Sequence, residues 1–310
     1  MVLTFNEAYE KYIIYVELKL KPQSIRSVKS RFKSYILPYL GDKNILEYTA
    51  FEYLEWQKLI NGFGFKYKYK KTLHYSVVAL YNFCITFYEL NIKNVASLVG
   101  NFKNSYDITS NRLNFFTYDE FSQFMTVVDN QIYHALFNFL FFSGCRIGEA
   151  LALTFNDLSD NEVFINKTIS KEFVNGSRAI TTPKTKKSIR TVLIDDYLGG
   201  ELKQLMEHYN TEFDNFNNNF YIFGGQKPLS QTTVERYKNK YCDLANVKRI
   251  RIHDFRHSYA TLLIRLNIPV KTVSEQLGHA DVSTTYNIYV HNDVENQKRL
   301  IKSLNELRHT

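Results

Sequence analysis

Three features of this 310-residue sequence predict a mainly α-helical chain of two domains, with a small antiparallel β-sheet in the second. Through the first hundred residues, apolar side chains recur at three- and four-residue spacing behind Thr-x-x-Glu starts, the pattern of capped amphipathic helices. A polar, aperiodic stretch at 104–114 then separates this part from a second run of helices. Within that run "EVFINKTIS" and "SIRTVLID" are β-branched and alternating, as strands are.

Taken in order, Thr4 and Glu7 open the first helix, whose stripe is Tyr9, Tyr12, Ile13, Val16 and Leu20. Pro22 opens a second through "SIRSVKSRFKSYIL" to Pro38, whose missing N–H is expected to end it; Arg26, Lys29 and Lys33 line its polar face. Thr49 and Glu52 start a third, which ends near "NGFGF". The fourth, "KYKYKKTLHYSVVALYNFCITFYEL", carries Lys66, Lys68, Lys70 and Lys71 as a basic cluster at one end, interleaved with Tyr67 and Tyr69. Such a cluster suits phosphate contacts and stacking, and equally a solvated helix end. Residues 1–103 are thus expected to form a four-helix domain and 104–114 a linker.

The second domain, 115–292, begins with Thr117 and Glu120 in capping positions. "HALFNFLFFSG" reads as a buried helix closed by Gly144, and "RIGEALALTF" as the next. Two strands follow, joined through "KEFVNGSRAITTPKTKK". Helices resume near Gly200 and, apart from the loop "FDNFNNNF", run to the end. The tail, 293–310, has an apolar stripe of Val294, Ile301, Leu304 and Leu307, suited to docking on a neighbouring protomer or folding back on its own domain.

Thirty-nine Lys and Arg against 31 Asp and Glu give a charge of +8, which favours an anionic partner such as nucleic acid. No apolar run approaches the roughly 20 residues a membrane span requires. The start "MVLTFNEAYEKY" lacks the basic and apolar regions of a signal peptide. Cys84, Cys145 and Cys242 form no CxxC pair, so they are expected to be buried small apolar residues of a reduced, cytoplasmic protein.

Four motifs of the second domain carry chemistry: "SGCRIGEAL" with Arg146, "TPKTKKSIRTV" with Lys184, "IHDFRHSYATLL" with His253 and Arg256, and "LGHADVSTTYNIYVH" with His279, Tyr286 and Tyr289. Two guanidinium groups suit a phosphodiester under attack, whose transition state gains negative charge. Arg146 would meet it near a helix N-terminus, with Glu149 holding the guanidinium from behind. His253 and Arg256, three apart, share a helical face. His257 lies four residues from His253, yet a zinc pair is disfavoured: Asp254 stands where a metalloprotease has Glu, and Arg256 would set a cation beside the metal.

In their order Arg, Lys, His-x-x-Arg, His, Tyr, these motifs resemble the tyrosine recombinase, or phage integrase, family. The resemblance implies a SAM-like core-binding domain at the N-terminus and a catalytic domain after it, which together clamp duplex DNA at recombination sites. It implies that Tyr289 is the nucleophile, because Tyr289 lies ten residues after His279, whereas Tyr286 lies only seven after it and becomes a packing or phosphate-facing residue. His253 is the implied base and His279 a phosphate ligand. Lys184, after Thr-Pro, matches the family's general-acid lysine best, ahead of Lys186, Lys187 and Arg190. Also implied are a 3′-phosphotyrosine intermediate, no metal or other cofactor, a homotetramer on DNA, and accessory excision or DNA-bending proteins. Related chemistry would serve a type IB topoisomerase or hairpin resolvase, and the same fold a non-catalytic DNA-binding protein. The chain begins almost at its first helix, which fits either a simple recombinase or one whose arm-binding domain lies outside this sequence.

Overall fold

The computed structural model describes residues 3–90, 92–103, 114–174, 177–183 and 188–278, together with 286, 301 and 305. It divides into two compact units, Met1–Ser110 and Asn111–Thr310.

In the first unit, α1 (Phe5–Lys19), α2 (Pro22–Arg31), α4 (Ala50–Gly62) and α5 (Tyr67–Phe87) are the principal helices, with α3 (Leu37–Leu40) and α6 (Val95–Val99) as short additions. Both expected capping boxes form: the Thr4 and Thr49 hydroxyls accept from the Glu7 and Glu52 amides, and each glutamate returns the bond to its threonine's amide. The buried stripe of α1 is Phe5, Ala8, Tyr9, Tyr12, Ile13 and Val16. Leu20, expected to continue it, lies past the helix end and is 44% exposed. The stripe packs with Phe32, Tyr53, Trp56, Leu80 and Tyr81 into one core.

Pro38 does not end the second helix. Between α2 and α3 the chain takes a π turn, Phe32–Ile36, in which the Leu37 amide donates to the Phe32 carbonyl five residues back. The widened turn absorbs the register, and Pro38 enters at the start of α3, where its missing N–H is not called upon.

In the second unit α7 (Tyr118–Met125) starts at the Thr117–Glu120 capping box, and α8 (Gln131–Ser143) is buried over most of its length. Gly144 closes α8 with φ +63°, the left-handed conformation a helix end takes most readily with glycine. The expected helix "RIGEALALTF" is a single turn, α9 (Ile147–Ala150). The chain leaves it because Leu153 and Thr154 are needed elsewhere: the Leu153 carbonyl accepts from the Ile222 amide at 3.0 Å, and Thr154 bridges to Tyr221.

Strands β1 (Leu158–Ser159), β2 (Glu162–Ile165) and β5 (Arg190–Leu193) form an antiparallel sheet in the order β1-β2-β5, while β3 (Thr168–Val174) and β4 (Ser177–Thr181) form a separate antiparallel pair. "EVFINKTIS" is therefore two strands, broken at Asn166 and Lys167, where Lys167 turns aside to pair with Asp157 at 2.6 Å. The stretch read as a connection contains most of a hairpin. Its Asn-Gly pair between alternating residues was the available signal.

Helices α10 (Asp196–Glu212), α11 (Gln231–Leu244), α12 (Asp254–Arg265) and α13 (Val270–Leu277) complete the unit. Helix α10 starts four residues before Gly200 because Asp195 caps it, accepting from the Leu198 amide at 2.9 Å. Both α10 and α12 pack on α8, in a core rich in Phe121, Phe124, Phe137, Phe141 and Phe255. All three cysteines are free and buried, as expected. Among the described residues, no helix is long and apolar enough to cross a membrane. Most of the linker and tail, with Val294, Leu304 and Leu307, lies outside the described residues; Ile301 is exposed.

Candidate active site

Arg146 follows the left-handed turn at Gly144 and caps α9. Its Nη1 donates to Glu149 Oε1 at 2.6 Å, its amide to Glu149 Oε2 at 3.1 Å, and its Nη2 to the Gly278 carbonyl at 3.5 Å. Glu149, only 3% exposed, lies between two guanidinium groups, because Arg190 Nη2 reaches its Oε2 at 3.1 Å. Burial pushes its carboxyl pKa up, but Arg190 and Arg146 outweigh burial and hold it below the usual carboxylate range. The glutamate expected behind Arg146 is thus there and ionised. The helix dipole expected to help is only that of a one-turn helix.

Arg256 sits in the first turn of α12 and is 2% exposed. Its Nη1 donates to the Gly144 carbonyl at 2.9 Å, while its Nη2 is buried and has no hydrogen-bond partner among the described residues. Burial, then repulsion from Arg146 and Arg190, pushes its pKa down to about 9. A buried guanidinium donor with nothing to donate to is a poor way to stabilise a fold and a good way to receive an anion.

His253 caps the same helix. Burial, His257, Arg256 and Arg146 push its pKa down to about 4, so at neutral pH it is an uncharged imidazole able to accept a proton. The His257 ring stands perpendicular to it, with centroids 5.2 Å apart. Asp254, fully buried, fixes the turn into α12 by accepting from the Arg251 amide at 2.8 Å and from Arg251 Nη2 at 2.7 Å. From α11, Glu235 accepts from the Ile252 amide at 3.2 Å, and the buried Lys238 ammonium donates to the Ile250 carbonyl. The backbone leading into His253 is therefore anchored on both sides.

The structure thus brings Arg146, Glu149, His253 and Arg256 within electrostatic reach of one another. The model of the phage integrase family matches residues 114–296, which contain all four, and that of the phage integrase N-terminal SAM-like domain matches residues 4–61. The chain belongs to the phage integrase family. It is a site-specific recombinase. Among curated proteins it is similar to the ICEBs1 integrase of Bacillus subtilis (strain 168), 27% identical over 98% of this chain and 83% of that one. It is also similar to a XerC-like tyrosine recombinase of Caldanaerobacter subterraneus, 33% identical over 56% of this chain and about half, 49%, of that one. The fold matches that of the Tn1549 transposon integrase in complex with a circular intermediate DNA (TM-score 0.78, 18% identity, 97% of this chain and 99% of that one). It also matches a lambda integrase tetramer bound to a Holliday junction (TM-score 0.65, 18% identity, 90% and 78% covered).

Lys184, His279 and Tyr289 lie outside the described residues of the recombinase, as do Lys186 and Lys187. Gly278, the residue before His279, ends α13 with φ +66° and offers its carbonyl to Arg146. Tyr286 is helical and 55% exposed. Arg190, considered with the lysines for the general acid, is committed elsewhere: its side chain is 8% exposed and bonded to Glu149 and to the Gln276 carbonyl.

Sequence reasoning missed Arg190 as a structural partner. The signal was its register in β5, two residues from the buried Val192 and so on the inward face, where a charge demands a partner.

In the first unit Arg26, Lys29, Lys33, Lys66, Lys68 and Lys71 are exposed, and Lys70 is half-buried. Lys29 pairs with Glu17 at 2.5 Å, and Lys70 donates to Asn61 at 2.8 Å. Tyr69, one of the two rings interleaved with the cluster, packs inward edge-on against Phe65 and Tyr35.

Proposed function

We propose that this recombinase cleaves duplex DNA by attack of the Tyr289 hydroxyl on a backbone phosphate, forming a 3′-phosphotyrosine and releasing a 5′-hydroxyl that attacks the partner strand. The observation that carries the reading is the buried Nη2 of Arg256, without a partner among the described residues and close enough to Arg146 for their charges to repel. A phosphate between them relieves both problems, and the extra negative charge of the pentacovalent transition state relieves them further.

Neutral His253 accepts the tyrosine proton, His279 binds a non-bridging oxygen, and Lys184 protonates the departing 5′ oxygen. Arg146 and Arg190 on the one Glu149 carboxylate, with Arg256 in electrostatic reach, leave an excess of positive charge that would stabilise the transition state without a metal ion. The phosphotyrosine conserves the energy of the broken bond, so no nucleotide is required to reseal it.

The lysines at the start of α5 support a DNA-binding role for the first unit. Three of these cations, Lys66, Lys68 and Lys70, lie in or before the helix's first turn and oppose its dipole, at roughly 0.3–1 kcal/mol each near the terminus, so helix stability does not account for them. Together with Arg26, Lys29 and Lys33 they would neutralise phosphates. We propose further that the protein acts in the cytoplasm as a homotetramer on paired sites, integrating or excising a mobile element, with the 293–310 tail docking on a neighbour.

The test is covalent capture. A nicked suicide duplex from the DNA flanking the chain's own gene should trap wild-type protein at Tyr289, mapped by peptide mass. Capture of Tyr289→Phe protein by the same duplex would refute the assignment.

A further inference from the structure

We infer that Arg190 is a positioning residue for strand cleavage, setting Arg146 and two neighbouring backbone segments in one register. The inference rests on the reading of Arg146 as a phosphate ligand. From the first position of β5, the Arg190 guanidinium donates in four directions: Nε to the Gln276 carbonyl at 2.9 Å, Nη1 to the Ser188 carbonyl at 3.2 Å, and Nη2 to Glu149 Oε2 at 3.1 Å and to Cys145 Sγ at 3.7 Å.

Each anchor is bonded to a proposed functional residue or lies within four residues of one in the chain. Glu149 holds Arg146, and Cys145 precedes it. Gln276 lies three residues before His279 in the chain, and Ser188 four after Lys184. Glu149 itself is gripped from both sides, with Oε1 taking Arg146 Nη1 and Oε2 taking Arg190 Nη2. Without Arg190, one oxygen of a carboxylate that is 3% exposed would keep only the Arg146 amide, and the support behind Arg146 would be free to turn.

Only a planar guanidinium spans these acceptors. A lysine at the same position would keep the positive charge beside Glu149, yet an ammonium on a flexible stem would not hold the Gln276 and Ser188 carbonyls in the same fixed fork. Charge balance and positioning are therefore separable: Arg190→Lys retains the first and loses the second.

The experiment uses full-length protein and the suicide duplex described above, measuring thermal midpoint, DNA affinity and the single-turnover rate of covalent capture. For Arg190→Lys the expected result is a folded protein with a lowered midpoint and, at a temperature where both proteins are folded, a Kd within about threefold and a capture rate lower on the order of 10²-fold, as for a misplaced reacting group. Capture at the wild-type rate would overturn the inference, because a residue that only balances charge is replaced by lysine without kinetic loss. Should that variant not fold, Arg190→Gln, neutral but able to donate to one carbonyl, is measured the same way; wild-type capture again overturns it. Failure of the underlying reading is seen separately, in a wild-type protein that forms no adduct or in capture of Tyr289→Phe, and would remove this inference with it.

Discussion

Replacing Arg256 by methionine should make the recombinase more stable and inactive. Burial and the neighbouring Arg146 and Arg190 push the Arg256 pKa from the ordinary guanidinium value down to about 9. At about 1.4 kcal/mol per pH unit, that is a penalty of roughly 4–5 kcal/mol on the charged form. Since about 9 lies above neutrality, the group is still charged at pH 7 and the full penalty is in force there; it fades only as pH rises through 9. Methionine fills the space of the stem without the charge. Losing the 2.9 Å bond to the Gly144 carbonyl returns about 1–2 kcal/mol, and side-chain rearrangement takes a further part. A net gain of about 2 kcal/mol remains, equivalent to roughly 4–8 °C in the midpoint of a unit this size. Calorimetry measures the gain, and covalent capture should fall on the order of 10³-fold. Cognate duplex should raise the wild-type midpoint more than the variant's, because it supplies the missing acceptor for Nη2. A lower midpoint for the variant would refute the argument that Arg256 is held against the interest of the fold.

Because the folded pKa of His253 is about 4, the folded state excludes a proton that the unfolded chain binds from about pH 6.5 downward. Its contribution to stability should be fully present above about pH 6.5 and be lost as pH falls toward 4, with His257, lowered in the same direction, adding to the slope. Urea midpoints at pH 7 and 5 should therefore converge partly in His253→Gln; an unchanged difference would contradict the shift. Gly144→Ala places a Cβ 2.5 Å from Tyr259 Cδ1 and 2.6 Å from Leu277 Cδ2 at a φ of +63°. It should cost about 3 kcal/mol in urea unfolding and slow capture by moving the carbonyl that holds Arg256. Changing Lys66, Lys68, Lys70 and Lys71 together to alanine should reduce the slope of log affinity against log salt by about 0.9 for each phosphate no longer neutralised, read by fluorescence anisotropy.

What the sequence made legible was whatever is set locally. Capping boxes at Thr4, Thr49 and Thr117 require partners three residues apart, and all three form. The buried helix ending at Gly144 announces itself by an apolar run and a glycine stop. The order of the motifs, and the family resemblance it carries, marked Arg146, Glu149, His253 and Arg256, which the fold brings together. Features set by distant parts of the chain stayed hidden. The π turn that carries the helix past Pro38 is a choice of register that no short window records. Helix α9 stops after one turn because Leu153 must meet Ile222, some seventy residues on. Arg190 looked like one basic residue among several until β5 turned it inward toward Glu149.

The three arginines share one device that the motifs do not spell out. A helix ends with carbonyls that find no amide inside the helix and carry the negative end of its dipole. Arg256 donates to the Gly144 carbonyl at the end of α8, Arg190 to the Gln276 carbonyl in the last turn of α13, and Arg146 to the Gly278 carbonyl just beyond it. Two helix ends thus hold three cations that would otherwise repel one another. The sequence suggested a helix N-terminus drawing in the anion. Arg146 does stand at a helix N-terminus and Arg256 in the first turn of another, and helix C-termini add to this by retaining the cations. Gly144 and Gly278, each left-handed, stand where a helix must turn sharply while leaving its last carbonyls available. With Arg146 and Arg256 holding a phosphate as proposed, the glycines belong to that proposed site as much as the arginines they hold. A β-carbon at either should lower DNA cleavage further than the loss of stability accounts for.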